Sequence, residues 1–222
     1  ILYPDDNYGT KMKEIFWDEV LRQGGQIRGV ESYSGKQADF GKEIKALTGL
    51  NFPEKNKMLE KRPIPKVDFD ALFIPDSYNT AIMIAPQLAF HEVIGVQLLG
   101  TNLWNSQDIQ KKNSEYFEGA IFTDCFFIDS ASAKVRNFID RFYVACNGEP
   151  GSIEALAYDA TKIMIDLITQ NTTENRDDLR DSLSRITSHP GITGTTSFSG
   201  TGEVQKPLLI LTVIDGEIVQ VK

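Results

Sequence analysis

The first nine residues constrain the fold more than any other stretch of the chain. Ile1-Leu2-Tyr3 is a short apolar run that ends in the polar loop Pro4-Asp5-Asp6-Asn7, and Gly9 then leads into a segment with helical spacing. This order predicts a strand that feeds a helix in an open α/β sheet, where ligands bind outside the carboxyl ends of the strands. Because so little strand precedes the loop, we expect further chain in front of Ile1 in the natural protein.

The pattern of strand and helix continues through the first half of the chain. Apolar periodicity predicts helices from Met12 to Leu21, from Phe40 to Leu47 after an Asp39 N-cap, and from Thr80 to Phe90 with a bend at Pro86. Apolar runs predict strands over residues 27–33, 70–75 and 96–100. The connections are short except for the polar stretch 48–67, which we interpret as a surface loop. The order predicts a doubly wound parallel sheet.

The pattern changes after residue 118. A long apolar strand is predicted over residues 119–127, and three helices follow it without strands between them. Thr172 or Thr173 is the expected cap of the third helix. The tail is rich in β patterns, and Asp215-Gly216 between apolar alternations predicts a tight hairpin turn.

Composition narrows the range of functions. The net charge of −8, from 23 basic and 31 acidic residues, argues against nucleic acid or an anionic membrane as a partner. With two histidines and no close Cys/His pair, no zinc site is expected. We interpret Cys125 and Cys146 as buried free thiols, with a disulfide as the alternative.

Motifs of common enzymes are missing from the sequence. Gly29 to Lys36 looks like a phosphate-binding loop, but five residues separate its glycines instead of four, and Gln37 stands where Ser or Thr would hold a metal. No Gly-x-Gly-x-x-Gly follows a predicted strand, and no Gly-x-Ser-x-Gly is present. The adjacent carboxylates of Asp5 and Asp6 are interpreted as a solvated turn. We therefore predict no catalytic residues and no cofactor.

Seven short motifs follow one another in a characteristic order. They lie at residues 3–9, 32–40, 70–75, 98–101, 118–120, 158–160 and 194–198, the last followed by the Gly202 turn. Together they resemble the second lobe and adjoining segments of type I periplasmic binding proteins of the branched-chain amino acid-binding type. The resemblance implies an α/β fold with a doubly wound parallel sheet, a helical segment and a C-terminal β hairpin. It also implies a two-lobed clamp that closes on a ligand.

The resemblance also implies a division of the chain into three parts. Residues 1–118 correspond to a C-terminal-type α/β lobe, residues 119–192 to a crossover strand and helices of the other lobe, and residues 193–222 to a β tail near the hinge. The helices of the middle part then lack the central strands of their own lobe. We expect either a repacked unit or a homodimer that covers their apolar face.

The family binds its ligands through loops at the ends of strands. Matched motif by motif, the contacts fall at Tyr8, at Ser77 and Tyr78, and at Asn102, with Trp104 as a wall of the cleft. In amino acid binders of this type, the position of Asn102 is typically acidic and holds the ammonium group of the ligand. Asn102 is neutral and lacks that charge-assisted pairing, which argues against a free amino acid as the ligand.

Two functions follow from the resemblance. The first is an extracytoplasmic solute-binding protein that captures a small polar or amphipathic molecule, such as an amino acid or short peptide, for ABC-type uptake or sensing. The second is a non-enzymatic interaction module of a bacterial envelope lipoprotein that acts on a cell-wall synthase. The long insertion before Asp70 and the segments 84–90 and 100–105 resemble the penicillin-binding-protein activators. Asn102 and the insertion favour the second function, whereas the aromatic loop ends and the overall similarity favour the first. Either function implies a periplasmic or envelope-anchored location.

Overall fold

The computed structural model describes residues 1–50, 65–110, 114–169 and 175–221. Most of the polar stretch 48–67 and both Thr172 and Thr173 lie outside these ranges. The chain divides into two compact units. The first unit comprises residues 1–122 with 211–219, and the second comprises residues 123–210 with 220–222. The three-part division expected from the sequence stays a prediction.

Strands and helices alternate in the first half of the chain, as the apolar pattern predicts. The α-helices are α1 (Asn7–Arg22), α2 (Gly41–Leu47), α3 (Tyr78–Phe90), α4 (Ala133–Cys146), α5 (Ser152–Thr169) and α6 (Arg176–Ser184). The strands are β1 (Leu2–Pro4), β2 (Glu31–Tyr33), β3 (Ala71–Phe73), β4 (Gln97–Leu99), β5 (Ile121–Asp124), β6 (His189–Gly191), β7 (Gly194–Phe198), β8 (Val204–Gln205), β9 (Leu209–Ile214) and β10 (Glu217–Gln220). The predicted strands are thus longer than the observed ones, because ladder pairing ends before the apolar runs do.

Parallel pairing dominates the sheets of the first unit. β1 pairs with β2 in parallel, and β4 pairs in parallel with both β3 and β5. β9 and β10 extend the second of these sheets, in the order β10-β9-β5-β4-β3. Parallel strands covered on both faces carry continuous apolar runs, and in the run 72–74 all three side chains are buried. The α/β fold class with a parallel sheet is therefore confirmed.

The C-terminal hairpin follows from its turn residues. Asp215 and Gly216 connect β9 to β10 and have φ angles of 53° and 77°. Two positive φ angles are the requirement of a two-residue hairpin turn whose twist matches that of the strands. The hairpin predicted at Asp215-Gly216 is confirmed.

The second unit has its own apolar core and its own sheet. Phe126, Val135, Phe138 and Ala155 form a buried cluster in which the rings of Phe126 and Phe138 meet edge to face. β6, β7 and β8 form an antiparallel sheet. The cluster therefore joins the segment after β5 to helices α4 and α5.

A buried carboxylate connects α5 to the sheet of the second unit. Asp159 accepts hydrogen bonds from the backbone N–H groups of Ile192 and Thr193, each at 2.9 Å, and from the Thr193 hydroxyl. The ammonium group of Lys206 lies 3.6 Å from the same carboxylate and donates to the hydroxyl of Thr196. Several donors thus compensate the cost of burying a charge.

The expected cap of α6 was wrong, and the interpretation of the cysteines as buried free thiols was right only in that both are free. The N-cap of α6 is Asn175, whose side chain accepts from the N–H groups of Asp177 and Asp178, and not Thr172 or Thr173. Cys125 is half-buried and Cys146 is exposed, and both are free thiols. Cys146, the last residue of α4, is therefore not a buried thiol.

The Asp39 cap is displaced by one position. Phe40 occupies the N-cap of α2, while the Asp39 carboxylate accepts from the N–H of Gly41 at 2.9 Å. Asp39, which the sequence analysis took as the N-cap, therefore accepts a hydrogen bond from an N–H of the first turn of α2, but it stands one residue before the N-cap position.

Candidate functional site

The predicted ligand contacts lie at the carboxyl ends of three strands of the first unit. Tyr8 is in the first turn of α1 after β1, and Ser77 and Tyr78 begin α3 after β3. Asn102 opens a short 3-10 helix over residues 102–104 after β4. β1 belongs to the two-stranded sheet, and β3 and β4 belong to the five-stranded sheet. Each predicted contact follows the carboxyl end of its own parallel strand, which is where ligands of such sheets are expected, and these strand ends are called the edge below.

The helix cap Asp6 and the glycine at position 9 determine the position of Tyr8 in the loop after β1. The Asp6 side chain accepts from the N–H of Gly9 at 2.7 Å and caps α1. A β carbon on residue 9 would lie 2.2 Å from the carbonyl oxygen of Pro4, so only glycine fits there. The opening Pro4 to Gly9 segment therefore determines where the helix starts and where the ring of Tyr8 lies.

Side-chain hydrogen bonds join the strand ends to one another. The hydroxyl of Tyr8 donates to the Oγ1 of Thr101 at 3.1 Å, which connects β1 to β4. The hydroxyl of Tyr33 at the end of β2 donates to the Oδ2 of Asp76 at 2.7 Å. The indole N–H of Trp104 donates to the backbone carbonyl of Asp76 at 3.1 Å. These hydrogen bonds fix the ends of β1, β2, β3 and β4 relative to one another. Such preorganisation lowers the entropic cost of binding a ligand.

Three of the five predicted contacts present polar atoms at this edge. Tyr8 is 39% exposed, Asn102 is exposed and Ser77 is half-buried. Ser77 also caps α3, because its side chain accepts from the N–H of Thr80. These three side chains carry hydroxyl and amide groups that can hydrogen-bond a polar ligand.

The other two predicted contacts are buried. The hydroxyl of Tyr78 donates to the backbone carbonyl of Asp108 at 2.8 Å. Trp104 is fully buried, and its ring meets that of Phe117 edge to face with centroids 5.3 Å apart. In this structure both residues support the loops of the edge. Their direct contact with a ligand stays a prediction.

The sequence analysis did not single out Tyr33, Asp76 and Thr101. Tyr8 and Asn102 were selected by matching motifs to the resembled family. Tyr33, Asp76 and Thr101 each end or directly follow an apolar run, so the rule that ligands bind at the carboxyl ends of strands could have found them. Asp76 is the most informative of the three, because its carboxylate accepts from the N–H of Ser77 at 2.5 Å as well as from Tyr33. Asp76 therefore supplies a carboxylate to the edge, whereas Asn102 supplies only a neutral amide.

Burial keeps the phenol groups of this edge protonated. The pKa of Tyr33 is raised well above its usual value by burial and then by the hydrogen bond to the Asp76 carboxylate. The pKa of Tyr78 is raised by burial and then by the charge of Asp108. Both hydroxyls therefore remain hydrogen-bond donors at physiological pH.

The described residues carry neither a metal cluster nor a membrane span. Within residues 1–50, 65–110, 114–169 and 175–221, no group of three or more His, Cys, Asp or Glu side chains is arranged to hold a metal ion. In the same part of the chain, every helix is too short or too polar to cross a membrane.

Comparison with solved structures finds binding proteins of ABC transporters among the matches. The chain matches a branched-chain amino acid ABC transporter protein from Rhodospirillum rubrum with 21% identity and a TM-score of 0.81, over 99% of this chain and 59% of the other. It matches the leucine-binding protein LivK from Thermotoga maritima with 19% identity and a TM-score of 0.74, over 100% of this chain and 59% of the other. The chain thus spans about three fifths of the length of these relatives.

A third structure was solved with its ligand. The substrate-binding protein LivJ from Streptococcus pneumoniae, in complex with isoleucine, matches with 25% identity and a TM-score of 0.67, over 99% of this chain and 59% of the other. Comparison with curated proteins finds no match. These neighbours are described as transport or substrate-binding proteins and not as enzymes, which confirms the prediction of a non-enzymatic protein.

The model of one protein family covers almost the whole chain. That family is described as "Periplasmic binding protein", and its model matches residues 1–217. The match agrees with the parallel sheet, the helical segment and the hairpin described above. The chain belongs to the periplasmic binding protein family.

Proposed function

We propose that this chain is the ligand-binding part of an extracytoplasmic solute-binding protein that serves ABC-type uptake or sensing. The single observation that carries the proposal is the edge at which Tyr8, Ser77 and Asn102 lie at the carboxyl ends of parallel strands. The hydrogen bonds of Tyr8 to Thr101 and of Tyr33 to Asp76 hold that edge in place before a ligand arrives. The solved relative from Streptococcus pneumoniae with bound isoleucine supports the same assignment.

The ligand class follows from the groups at the edge. Tyr8, Ser77 and Asn102 supply neutral hydrogen-bonding groups, and Asp76 supplies a carboxylate. The ligand is a small polar or amphipathic molecule such as an amino acid or short peptide. Tyr78 and Trp104 keep the loops of Ser77 and Asn102 in position, in addition to the wall role expected for Trp104.

A thermal-shift screen of this chain, and of the natural protein that contains it, tests the proposal. The compounds are the branched-chain amino acids, short peptides, benzoate and cell-wall fragments. A ligand that binds the folded state raises the melting temperature by mass action. A shift with one chemical class is the expected result, and a flat screen with well-folded protein would contradict solute binding.

Point variants test whether the ligand binds at the edge formed by Tyr8, Ser77 and Asn102. Tyr8→Ala and Asn102→Ala are expected to weaken binding at least tenfold, while Tyr143→Ala, an exposed tyrosine of α4 in the other unit, serves as the matched control. Asn102→Asp restores the acidic group of the amino acid binders and should raise affinity for an amino acid about tenfold. Unchanged affinity in the variants at positions 8 and 102 would place the ligand elsewhere.

A second function is favoured by one observation. The hydroxyl of Tyr78 and the indole N–H of Trp104 both donate hydrogen bonds to backbone carbonyls. Two of the five predicted ligand contacts therefore already have polar partners within the protein. This arrangement suits an interaction module that contacts a cell-wall synthase and binds no solute. Co-purification of the synthase together with a flat ligand screen would support this function over the first.

A further inference from the structure

Several hydrogen-bond donors of the edge are already used inside the protein. The hydroxyl of Tyr8 donates to the Oγ1 of Thr101. The hydroxyl of Tyr33 and the backbone N–H of Ser77 both donate to the carboxylate of Asp76. A phenol that donates its one hydrogen keeps the lone pairs of its oxygen as acceptors. Because Tyr8 is 39% exposed, its phenol oxygen therefore offers an acceptor to a ligand.

Asp76 keeps both acceptor capacity and its negative charge. Its Oδ1 accepts from the N–H of Ser77 at 2.5 Å, and its Oδ2 accepts from the hydroxyl of Tyr33 at 2.7 Å. Each oxygen of a carboxylate has two lone pairs, so each can accept one further hydrogen bond. Both donors are neutral, and they orient the carboxylate without cancelling its charge. The side chain is half-buried in the loop after β3.

The charges around Asp76 are negative. Among residues 1–50, 65–110 and 114–122, the ion pairs that the structure shows use the acids Glu14, Glu19 and Asp68 and do not include Asp76. The charge of Asp6 also helps to raise the pKa of Tyr33, after burial and the hydrogen bond and charge of Asp76. Two carboxylates thus act on one phenol, and a cation is the charge that they attract.

Two hydrogen bonds bring the acceptors of the edge near one another. The indole N–H of Trp104 donates to the backbone carbonyl of Asp76 at 3.1 Å, which joins the loop of Asn102 to the loop of Asp76. The hydroxyl of Tyr8 reaches Thr101, the residue directly before Asn102, also at 3.1 Å. The carboxylate, the phenol oxygen and the exposed amide therefore belong to three loops that contact each other.

We propose that the edge binds a protonated amine of its ligand, and that Asp76 is the residue that selects this charge. The ammonium group has three hydrogens, and it donates them to the carboxylate of Asp76 and to the neutral acceptors of Tyr8 and Asn102. The negative charge of the site comes from the loop after β3, because Asn102 in the loop after β4 is neutral. This inference rests on the function proposed above, since it describes the same edge.

NMR titration of the full 222-residue chain with three compounds of one shape tests the charge preference. The compounds are 3-methylbutylamine, 3-methylbutan-1-ol and 4-methylpentanoate, which carry a cation, a hydroxyl and an anion on the same branched body. The amine should shift the amide resonances of Ser77 and Asn102 saturably, and it should bind at least about tenfold more tightly than the anion. No saturable shift with the amine, or equal affinity for the amine and the anion, would overturn the proposal.

Two acids at opposite ends of β3 provide a matched pair of variants. Asp76→Asn should weaken binding of the amine about tenfold, because the amide keeps the shape of the carboxylate and lacks its charge. Asp70→Asn removes an exposed carboxylate just before the same strand and should leave the affinity unchanged. Equal weakening by the two variants would mean that the net charge of −8 attracts the amine, and it would refute a selective role of Asp76.

A second variant keeps the test decisive if Asp76→Asn does not fold. Tyr8→Phe removes the phenol oxygen from an exposed side chain and should weaken binding of the amine about threefold. Tyr143→Phe, at an exposed tyrosine of the other unit, should leave the affinity unchanged. The NMR spectrum of each variant establishes whether it is folded. Unchanged affinity in Tyr8→Phe would overturn the proposed arrangement of acceptors.

The failure of this inference can be distinguished from the failure of solute binding. Solute binding fails if every compound of the thermal-shift screen leaves the folded protein unchanged. The inference alone fails if an anion such as benzoate, or a neutral compound, shifts Ser77 and Asn102 and binds Asp76→Asn as tightly as the wild-type chain. A primary amine that shifts these residues and loses affinity in Asp76→Asn supports both.

Discussion

Gly100 lies against the indole ring of Trp104. A β carbon on residue 100 would be 2.2 Å from the Cδ2 of Trp104, far inside van der Waals contact. The ring is fully buried and bonded through its N–H to the backbone carbonyl of Asp76, so it has no room to move away. The absence of a side chain at position 100 is therefore what allows the loop after β4 to pack against the loop after β3.

Gly100→Ala should destabilise the first unit. The added methyl group overpacks the core around Trp104, and overpacking of this kind costs about 1–3 kcal/mol of the free energy of unfolding. The measurement is the melting temperature by circular dichroism. Gly35→Ala is the matched control, because no atom lies within 4 Å of a β carbon at that position. Equal melting temperatures for the two variants would contradict the prediction.

Asp159→Asn should destabilise the second unit more than a surface variant does. Asp159 is buried, accepts from Ile192 and Thr193, and lies near Lys206. Removal of one partner from a buried charge pair costs about 3 kcal/mol or more of the free energy of unfolding.

Urea denaturation compares this variant with Asp166→Asn. The side chain of Asp166 is on the same helix and pairs with the exposed Lys162 of that helix and with His189 of β6. An ion pair with an exposed partner contributes less than about 1 kcal/mol. If the two variants lose equal stability, the buried pair has no special role.

The two cysteines should react with a thiol reagent at very different rates. Burial, followed by the charge of Asp124, raises the pKa of Cys125 to about 11. Its reactive thiolate is then only about one part in a thousand at pH 8. Cys146 is exposed and should be labelled first.

Labelling with Ellman's reagent at pH 8 should therefore show one fast and one slow thiol in the native protein. Cys146→Ser should remove the fast phase alone, and denaturant should make both thiols of the wild-type chain fast. Two equally fast thiols in the native protein would contradict the assigned environment of Cys125.

The apolar surface of α4 and α5 should drive self-association. Val144 is 87% exposed and Ile153 is 79% exposed, and both are large hydrophobic residues of the second unit. Exposed apolar patches commonly mark interaction surfaces. Sedimentation equilibrium should show a dimer that the double variant Val144→Glu/Ile153→Glu converts to monomer, while Ile15→Glu on α1 leaves it unchanged. A wild-type monomer at every concentration would contradict the homodimer.

The sequence by itself determined the features that depend on neighbouring residues. The strand-loop-helix order around Asp6 and Gly9, the alternation of strands and helices up to Trp104, and the hairpin turn at Asp215-Gly216 all rest on caps, turns and periodicity. These effects act within a few residues of one another, so they can be deduced from the order of residues alone.

Only the tertiary structure decided which side chains of the candidate site are exposed. Trp104 is buried because Phe117 and Phe122 pack around it, and the Tyr33 hydroxyl meets Asp76 across 43 positions of the chain. The stacking of the Phe16 and Phe73 rings likewise depends on how α1 lies against β3. Burial and long-range hydrogen bonds depend on which distant segments pack together, and local propensity carries no information about that choice.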